Sequence, residues 1–421
     1  MNSTIVKSLI SIIVLNSLVF GATDVYLKLT GQGPQLNVGL LPVNCQYGDE
    51  ELARKVYAIL RYDLNFTRMF NLQESTATFR GLLDLVNWQN SNLDILLVPA
   101  LEKNRVSTTI IDIASQQIIA EISQPFFRPG DWRRNVHQLS NNLIKKLTGR
   151  DGIATSQIVF SNDSGGSKEI YLIDYDGQNL RRLTNNGSIN ILPRYWPKKQ
   201  RIIFTTYRYG NPDLYSVKLD GSDFTALSTR QGLNSAAAID RSGEKILLTI
   251  SKGQYPNIYL LDPAGNIQRR LTFEPAVDTS PSFAPNGQEF VFISDRWGNP
   301  SLYIMDIAGT NIRRLPVNGY CDSPNWSGDG RFIAFSHRPA RQNFFQIAVY
   351  DLLKNKLFTI TDEGNNGNPS FSPDSRFLVF SSNRSGRWQL YILPLTGGSP
   401  IRLDIPGNSY SPYWFDCERY D

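Results

Sequence analysis

Hydrophobic and polar positions alternate with a period of two along most of the C-terminal two thirds of the chain. The segments EFVFIS at 289–294 and SLYIMD at 301–306 are examples, and Gly, Pro, Asn and Asp separate such segments. β-Branched and aromatic residues are frequent in them, as is typical of short strands joined by tight turns. Similar segments occur again at 323–336 and 368–393. The pattern therefore predicts an all-β region built from repeated units.

The repeat has a period of 44 residues. A strand written LYI, or a close variant, is centred on six positions with this spacing: Tyr171, Tyr215, Tyr259, Tyr303, Ile347 and Tyr391. The turn after it contains a glycine in every copy but the fifth, where Leu353 stands: Gly177, Gly221, Gly265, Gly309 and Gly397. Four short strands in about 44 residues make one β-propeller blade, which must stack on other blades to bury both its faces.

The order of the strands predicts how the propeller closes. A Pro-x-aromatic strand occurs six times, with Ala237 in the second proline slot: Pro193, Pro281, Pro324, Pro369 and Pro412. The last of these strands, at 411–414, has no strand after it, and the first copy, from 156 onward, has none before it. We therefore expect the C-terminal strand to pair into the first blade, which removes two exposed sheet edges. The prediction is a six-bladed β-propeller over about 153–416.

The segment before the propeller lacks this period and predicts a small α/β domain. Two apolar runs, 37–43 and 93–100, are expected to be buried strands, and STTIIDI with QQIIAEI is expected to form a hairpin. Apolar residues that share one face predict two helices: Leu52, Val56, Leu60 and Leu64 after Asp49, and Val136, Leu139, Leu143 and Leu147 before Gly149. The fold class is a two-domain α/β plus all-β protein. The expected domains are 22–150, with a flexible N-terminal segment at 22–33, and the propeller at 151–421.

The first 21 residues predict a secretory signal peptide. Lys7 precedes an apolar run of 12 residues that ends at Phe20, and the small residues Gly21 and Ala22 follow. The alternative is a transmembrane anchor, but the run is shorter than the roughly 20 residues that a bilayer requires. We expect cleavage after Gly21 or Ala22, and a mature protein that is exported to the periplasm and does not span the membrane.

Charge and cysteine content narrow the classes of function. The formal net charge of +5 is spread along the chain without a dense basic stripe, which argues against a nucleic-acid partner. Only three cysteines occur, Cys45, Cys321 and Cys417, and an odd number cannot pair completely. The fold is therefore expected to depend on packing.

Motifs for catalysis, cofactors and metals are missing from the sequence. The two histidines, His137 and His337, have no acid partner at a diagnostic spacing, and neither GxSxG nor GxGxxG occurs. The segment at 174–185 resembles a calcium loop but lacks Gly at the sixth position and Glu at the twelfth. We expect no enzyme activity, no cofactor and no metal site.

Polar residues recur ahead of the first strand of the blades. Asn190, Asn234 and Asp278 are 44 residues apart, and we expect them to point toward the mouth of the central funnel, where loops form a docking surface. The alternative is that they only cap turns. Arginine pairs also recur, and we expect them on outer strands, where charge favours solubility: Arg181–Arg182, Arg269–Arg270 and Arg313–Arg314.

Three features together resemble a known family. The segment DVYLKL at 24–29, the strand VGLLPV at 38–43 and six copies of a P-x-[WF]-[SA]-P-[DN]-[GS] pattern are similar to the TolB family, the periplasmic propellers of the Tol–Pal system in Gram-negative bacteria. The resemblance implies a monomeric, non-enzymatic adaptor. Its propeller mouth would bind the peptidoglycan-associated lipoprotein Pal, and its N-terminal segment would engage the inner-membrane protein TolA. The system supports outer-membrane integrity and invagination at cell division.

The resemblance also implies positions for both contacts. The TolA-binding residues would lie in 22–33: Asp24, Val25, Tyr26, Leu27, Lys28 and Leu29. The Pal-binding residues would lie at the propeller mouth: Asn190, Asn234, Ala236, Asp278 and Thr279. Two departures affect individual contacts, because the second slot reads SAAAIDRSG and the fifth blade differs at Ile347 and Leu353. The alternatives are an exported propeller hydrolase or a sugar- or peptide-binding protein, and a receptor for a soluble small ligand.

Overall fold

The computed structural model describes residues 35–46, 48–75, 88, 91–126 and 131–417. The chain divides into two compact units, Met1–Thr155 and Ser156–Asp421. The predicted signal peptide and the predicted TolA-binding segment lie outside the described residues. None of the helices in the described ranges has the length and apolarity needed to cross a membrane.

The described residues of the N-terminal unit form one sheet and two helices. Its strands are β1 Leu36–Leu40, β2 Asn44–Cys45, β3 Phe70–Glu74, β4 Ile95–Glu102, β5 Arg105–Asp112 and β6 Gln117–Pro125, and its helices are α1 Glu50–Phe66 and α2 Trp132–Thr148. The strand order is β3-β1-β4-β5-β6, and β2 pairs with β4. β1 is parallel to both of its neighbours, whereas β4, β5 and β6 form an antiparallel meander. The predicted α/β fold is confirmed.

Local chemistry explains both helices. Asp49 precedes α1, and Glu50 and Glu51 in its first turn complement the positive end of the helix dipole. α2 ends at Gly149, whose φ of 71° places it in the left-handed conformation that commonly terminates helices. The sequence reasoning missed β3, which pairs in parallel with β1 after α1 and supplies an edge of the sheet.

The C-terminal unit contains six four-stranded antiparallel sheets, which we number as blades 1 to 6. Blade 1 consists of β30 Ser409–Phe415, β7 Gln157–Asn162, β8 Glu169–Asp174 and β9 Arg181–Arg182, and blade 2 consists of β10 Asn190–Trp196, β11 Arg201–Thr206, β12 Asp213–Lys218 and β13 Thr225–Ser228. Blade 3 consists of β14 Asn234–Ile239, β15 Ile246–Ile250, β16 Asn257–Leu261 and β17 Ile267–Arg270, and blade 4 consists of β18 Asp278–Phe283, β19 Glu289–Ser294, β20 Ser301–Asp306 and β21 Arg313–Arg314. Blade 5 consists of β22 Tyr320–Trp326, β23 Phe332–Arg338, β24 Gln346–Asp351 and β25 Lys356–Thr359, and blade 6 consists of β26 Asn366–Phe371, β27 Phe377–Ser382, β28 Gln389–Pro394 and β29 Ile401–Arg402. A single turn of 3-10 helix, Pro197–Lys199, follows β10.

The C-terminal strand closes the ring, as predicted. β30 pairs antiparallel with β7, with Trp414 opposite Ile158 and Phe415 opposite Gln157. The indole N–H of the buried Trp414 donates a hydrogen bond of 2.8 Å to Ser156 Oγ. β30 is therefore fixed by backbone pairing and by a buried side chain.

Every innermost strand contains the same bulge. The residue before the proline slot has φ between 49° and 54° in all six blades: Leu192, Ala236, Ser280, Ser323, Asn368 and Ser411. The register with the second strand shifts at each of these positions. Ala236 adopts the bulge although alanine follows it, so the ring geometry imposes this conformation without the proline. A bulge bends its strand, which suits a strand that lines a channel.

Each middle strand packs against both neighbouring blades through alternate residues. In blade 4, Phe292 and Tyr303 belong to a cluster with Leu260 of blade 3, whereas Val291 and Ile304 belong to one with Ile333 and Phe335 of blade 5. Phe292 is fully buried. Alternate residues of the period-two pattern therefore lie at two different hydrophobic interfaces, one with each neighbouring blade.

Replacing Phe292 with alanine is expected to lower the free energy of unfolding by about 3–5 kcal/mol, because the change leaves a cavity between blades 3 and 4. Chemical denaturation of the two proteins measures this difference. Phe273→Ala is the matched control, because the Phe273 side chain is 69% exposed. Equal losses in the two variants would contradict the packing described for β19.

Candidate functional site

One end of every blade faces the same side of the propeller. In blade 2, Asn190 at the start of β10 lies opposite Thr206 at the end of β11, which lies opposite Asp213 at the start of β12. The loop before the first strand and the loop after the second strand therefore project from the same end. We call this end the mouth face, and it consists of twelve loops: 163–168, 183–189, 207–212, 229–233, 251–256, 271–277, 295–300, 315–319, 339–345, 360–365, 383–388 and 403–408.

A backbone hydrogen bond joins neighbouring blades at this end. At all six junctions the first or second residue of the innermost strand donates its N–H to the carbonyl just before the third strand of the preceding blade, at 2.8–3.0 Å. The donor and acceptor pairs are Asn190–Lys168, Asn234–Pro212, Asp278–Pro256, Cys321–Pro300, Asn366–Phe345 and Ser409–Trp388. The last pair joins blade 1 to blade 6. Because these bonds are equivalent at all six junctions, neighbouring blades are held at the same level along the propeller axis, and the six mouth ends lie together.

Asn190 is fully buried and holds blades 1 and 2 together. Its amide donates 2.8 Å to Oε2 of Glu169 in β8, which is also fully buried. Glu169 also accepts from Thr184 Oγ1 at 2.5 Å and from Arg182 Nη2 at 3.0 Å. The backbone N–H groups of Asn186 and of Gly187 supply two more donors, at 2.9 Å each. A buried carboxylate is stable only with such partners.

Asn234 and Asp278 are also fully buried, Asn234 against blade 2 and Asp278 against Arg296 of its own blade. Asn234 Oδ1 accepts 2.6 Å from Ser228 Oγ, and Asp278 Oδ1 pairs with Arg296 Nη2 at 3.0 Å. The expectation that Asn190, Asn234 and Asp278 point into the mouth was therefore wrong. The Asn190 and Asn234 side chains recur because the junction between blades recurs, whereas the Asp278 side chain makes its ion pair within blade 4. The alternative of a local capping role describes them better.

Ala236 and Thr279 remain accessible. Both are partly exposed, and both lie on innermost strands at or next to the bulge. The innermost strands line the central channel of a propeller. Of the five positions predicted at the mouth, these two are the ones at which a ligand could make contact.

The channel wall carries few charged groups. The Arg194 guanidinium lies 5.3 Å from the centre of the Tyr413 ring and donates 2.8 Å to the carbonyl of Pro193. Burial lowers the pKa of Arg194 and raises the pKa of Tyr413. Burial also raises the pKa of Asp322, although the Ser323 N–H donates 2.7 Å to its carboxylate and opposes the effect. All three side chains are half-buried in the channel wall.

Exposed aromatic side chains are concentrated at the mouth end. In the described part of the propeller, every large aromatic residue that is exposed lies in a mouth-face loop or at the adjoining end of β22: Tyr207, Tyr209, Phe273, Trp297, Tyr320 and Phe344. Arginines accompany several of them, with Arg208 5.4 Å from the Tyr209 ring and Arg338 5.3 Å from the Tyr320 ring. Exposed aromatic and arginine side chains are typical of protein interfaces.

Sequence reasoning missed this aromatic surface. A signal was present, because Tyr209 and Trp297 lie two repeats apart and each stands between an arginine and a glycine. Most of the exposed aromatic residues follow the second strand of a blade, away from the positions ahead of the first strand at which the 44-residue spacing is regular.

Other groups with potential chemistry have structural partners. His137 Nδ1 lies 2.9 Å from Asp63 Oδ2, and this buried pair joins α1 and α2 of the N-terminal unit. His337 lies within β23, with its Nε2 2.7 Å from the carbonyl oxygen of Asn318. All three cysteines are free thiols, and burial raises the pKa of Cys321 to about 12, so its thiol stays protonated. Across the described ranges, His, Cys, Asp and Glu form no group of three suited to a metal ion.

Replacing Asn190 with alanine is expected to lower the free energy of unfolding by about 1–3 kcal/mol, because Glu169 then loses a buried donor. Thermal and chemical denaturation measure the loss, and Thr279→Ala, at a partly exposed position, is the control. An Asn190→Ala protein with unchanged stability would show that the junction does not depend on the hydrogen bond between Asn190 and Glu169.

The chain is similar in sequence to proteins of one known family. A family model described as "PD40: TolB beta propeller domain" matches residues 144–417. A relative named "Tol-Pal system protein TolB" from Geobacter sulfurreducens is 32% identical over 192 residues, which are 42% of this chain and 44% of the relative. One with the same name from Cereibacter sphaeroides is 29% identical over 164 residues, or 36% of this chain and 37% of the relative. The matches thus span less than half the length of these curated relatives.

Solved structures share the fold. The crystal structure of TolB from Acinetobacter baumannii superposes with a TM-score of 0.80 at 22% identity, over 90% of this chain and 96% of that one. A chain of a nidogen/laminin complex superposes with a TM-score of 0.52 at 13% identity, over 62% of this chain and 98% of that one. The first match extends over most of the described residues, the second over a smaller part. Since the family model covers more than half of the sequence, the chain belongs to the TolB β-propeller family.

Proposed function

We propose that this protein is a non-enzymatic periplasmic adaptor of the Tol–Pal system. Its mouth face binds the lipoprotein Pal, and its N-terminal segment at 22–33 binds TolA. Through these two contacts it supports outer-membrane integrity and invagination at cell division. Membership of the TolB β-propeller family and the names of the relatives support the assignment to this system. The observation that carries the Pal contact is the concentration of exposed aromatic side chains on the mouth face.

The mouth face has the composition of a docking surface. Tyr209 and Phe273 are each more than 60% exposed, and Phe344 is exposed as well. Tyr, Trp and Arg supply most of the binding energy in protein interfaces. The opposite end of the described propeller presents aliphatic side chains instead, such as Leu180 and Leu353. The mouth is therefore the better candidate for a protein partner.

The exported hydrolase is the weaker alternative. It requires paired acids in the channel, and the described innermost strands contain two acids, Asp278 and Asp322. Asp278 is fully buried in an ion pair with Arg296, and Asp322 lies in the next blade. This arrangement favours an adaptor.

Combined replacement of Tyr209, Phe273 and Phe344 by alanine is expected to weaken binding of the soluble Pal domain by about tenfold or more. Isothermal titration of Pal into the chain from residue 22 measures the affinity. Leu353→Ala is the control, because this side chain is 78% exposed at the opposite end. Unchanged affinity of the triple variant, or an equal loss in the control, would exclude the mouth face as the Pal site.

Deletion of residues 22–33 is expected to abolish binding of TolA while leaving the affinity for Pal within about twofold, since the two contacts are proposed to be on different parts of the chain. Pull-down of a soluble TolA domain tests this, with a segment of the same length and scrambled sequence as control. Retention of TolA by the shortened or scrambled protein would disprove the role of this segment.

A further inference from the structure

Blade 4 has a pocket that the other observations leave unexplained. Its volume is about 460 Å³, and it is lined by Arg296, Trp297, Tyr303, Ile312 and Arg314. None of these residues lies on an innermost strand, so the pocket is separate from the central channel. Trp297 is 77% exposed and Ile312 is also exposed, whereas Tyr303 is buried. The pocket therefore has an apolar rim and a buried polar group in its wall.

The Tyr303 hydroxyl has an unfilled hydrogen-bonding capacity. It is buried and has no hydrogen-bond partner among the described residues. Burial raises the pKa of Tyr303, and the nearby Arg314 and Arg296 oppose that effect. A buried hydroxyl without a partner is unfavourable, and an acceptor atom of a ligand would supply the missing hydrogen bond.

The pocket carries one positive charge that no carboxylate balances. Arg296 is neutralised by Asp278, at 3.0 Å. Arg314 donates 3.1 Å to Ser301 Oγ and has no ion pair within the described ranges. In blade 1 the equivalent arginine, Arg182, pairs with Glu169, at the position that Ser301 occupies in blade 4. The charge of the pocket therefore matches a monoanion.

Blade 2 shows what fills the same space elsewhere in the ring. Tyr215 and Ala226 are a cross-strand pair there, as Tyr303 and Arg314 are in blade 4. Phe224 stands two repeats before Ile312, and its ring lies 4.8 Å from that of Tyr215. Blade 2 thus packs an aromatic ring of its own where blade 4 has the smaller Ile312 and a pocket.

We propose that the blade 4 pocket binds a small monoanionic carboxylate that carries an aromatic ring. The carboxylate accepts from the Arg314 guanidinium and from the Tyr303 hydroxyl. The ring packs against Trp297 and Ile312, in the place that Phe224 takes in blade 2. The site adjoins the proposed Pal surface, because Trp297 lies in the mouth-face loop 295–300, but Ile312 and Arg314 lie outside the mouth-face loops.

Isothermal titration with N-acetylphenylalanine and with its neutral amide tests the ligand class. The acid is expected to bind the chain from residue 22 about tenfold more tightly than the amide, because a charge-assisted bond to arginine is lost in the amide. Equal affinities for acid and amide, or absence of saturable binding of the acid, would overturn the proposal.

Two variants test the location of the site. Arg314→Ala installs the residue of blade 2, and Ile312→Phe fills the pocket as Phe224 does there. Each is expected to weaken acid binding by about tenfold. Arg402→Ala is the control, because Arg402 occupies the equivalent position in blade 6 and pairs with Asp404 at 2.6 Å. Full affinity for the acid in both pocket variants, or an equal loss in the control, would overturn the proposal.

Melting temperatures and Pal titrations of the same variants separate misfolding from loss of the ligand. Both pocket variants are expected to melt close to the unchanged protein and to retain Pal binding. Because Pal is a second, independent readout, failure of the pocket proposal would leave the adaptor proposal intact, and failure of Pal binding would leave the pocket proposal intact.

Discussion

The rest of the propeller depends on the closure of six sheets into a ring by the C-terminal strand. β30 pairs with β7, and the Ser409–Trp388 backbone bond links blade 1 to blade 6 as five equivalent bonds link the other neighbours. Each blade then buries one face against the preceding blade and the other against the next. Within residues 156–417, no innermost strand is left at an open end of the array, so the hydrophobic faces of the first and last copies are covered.

Buried polar side chains lie at the junctions between the blades of this closed ring. The first residue of the third strand carries a polar side chain in every blade, but its identity changes: Glu169, Asp213, Asn257, Ser301, Gln346 and Gln389. In blade 1 Arg182 compensates the Glu169 carboxylate, whereas in blade 2, which has Ala226 in place of the arginine, Asp213 accepts a hydrogen bond from Asn211. Where serine replaces the acid, the equivalent Arg314 keeps its charge. Variation at a structural position can thus leave a charge that a ligand could use.

Because the ring is held together by its strands, the loops between the strands can contact a partner. The strands fix where the loops begin and end, so their side chains need not contribute to the core. On the mouth face these loops expose the aromatic side chains of residues such as Phe273 and Trp297 to water. Exposure of apolar surface to water is unfavourable, and burial against a partner would remove that exposure. Arginines lie beside several of these rings, which combines apolar area with charge.

The sequence by itself determined the repeat, the blade count and the ring closure. Both the period of 44 and the period of two are spacings along the chain, so they can be read without knowing which residues are in contact. It also determined the two helices, since Leu60 and Leu64 follow the helical spacing. Only the tertiary structure decided the direction of polar side chains. Asn190, Asn234 and Asp278 recur as a surface ring would, yet they are buried. Asn190 and Asn234 have partners in the preceding blade, and Asp278 pairs with Arg296 in the loop after β19. The Tyr303–Arg314 pocket likewise depends on which residues face each other across strands, and spacing along the chain does not specify that.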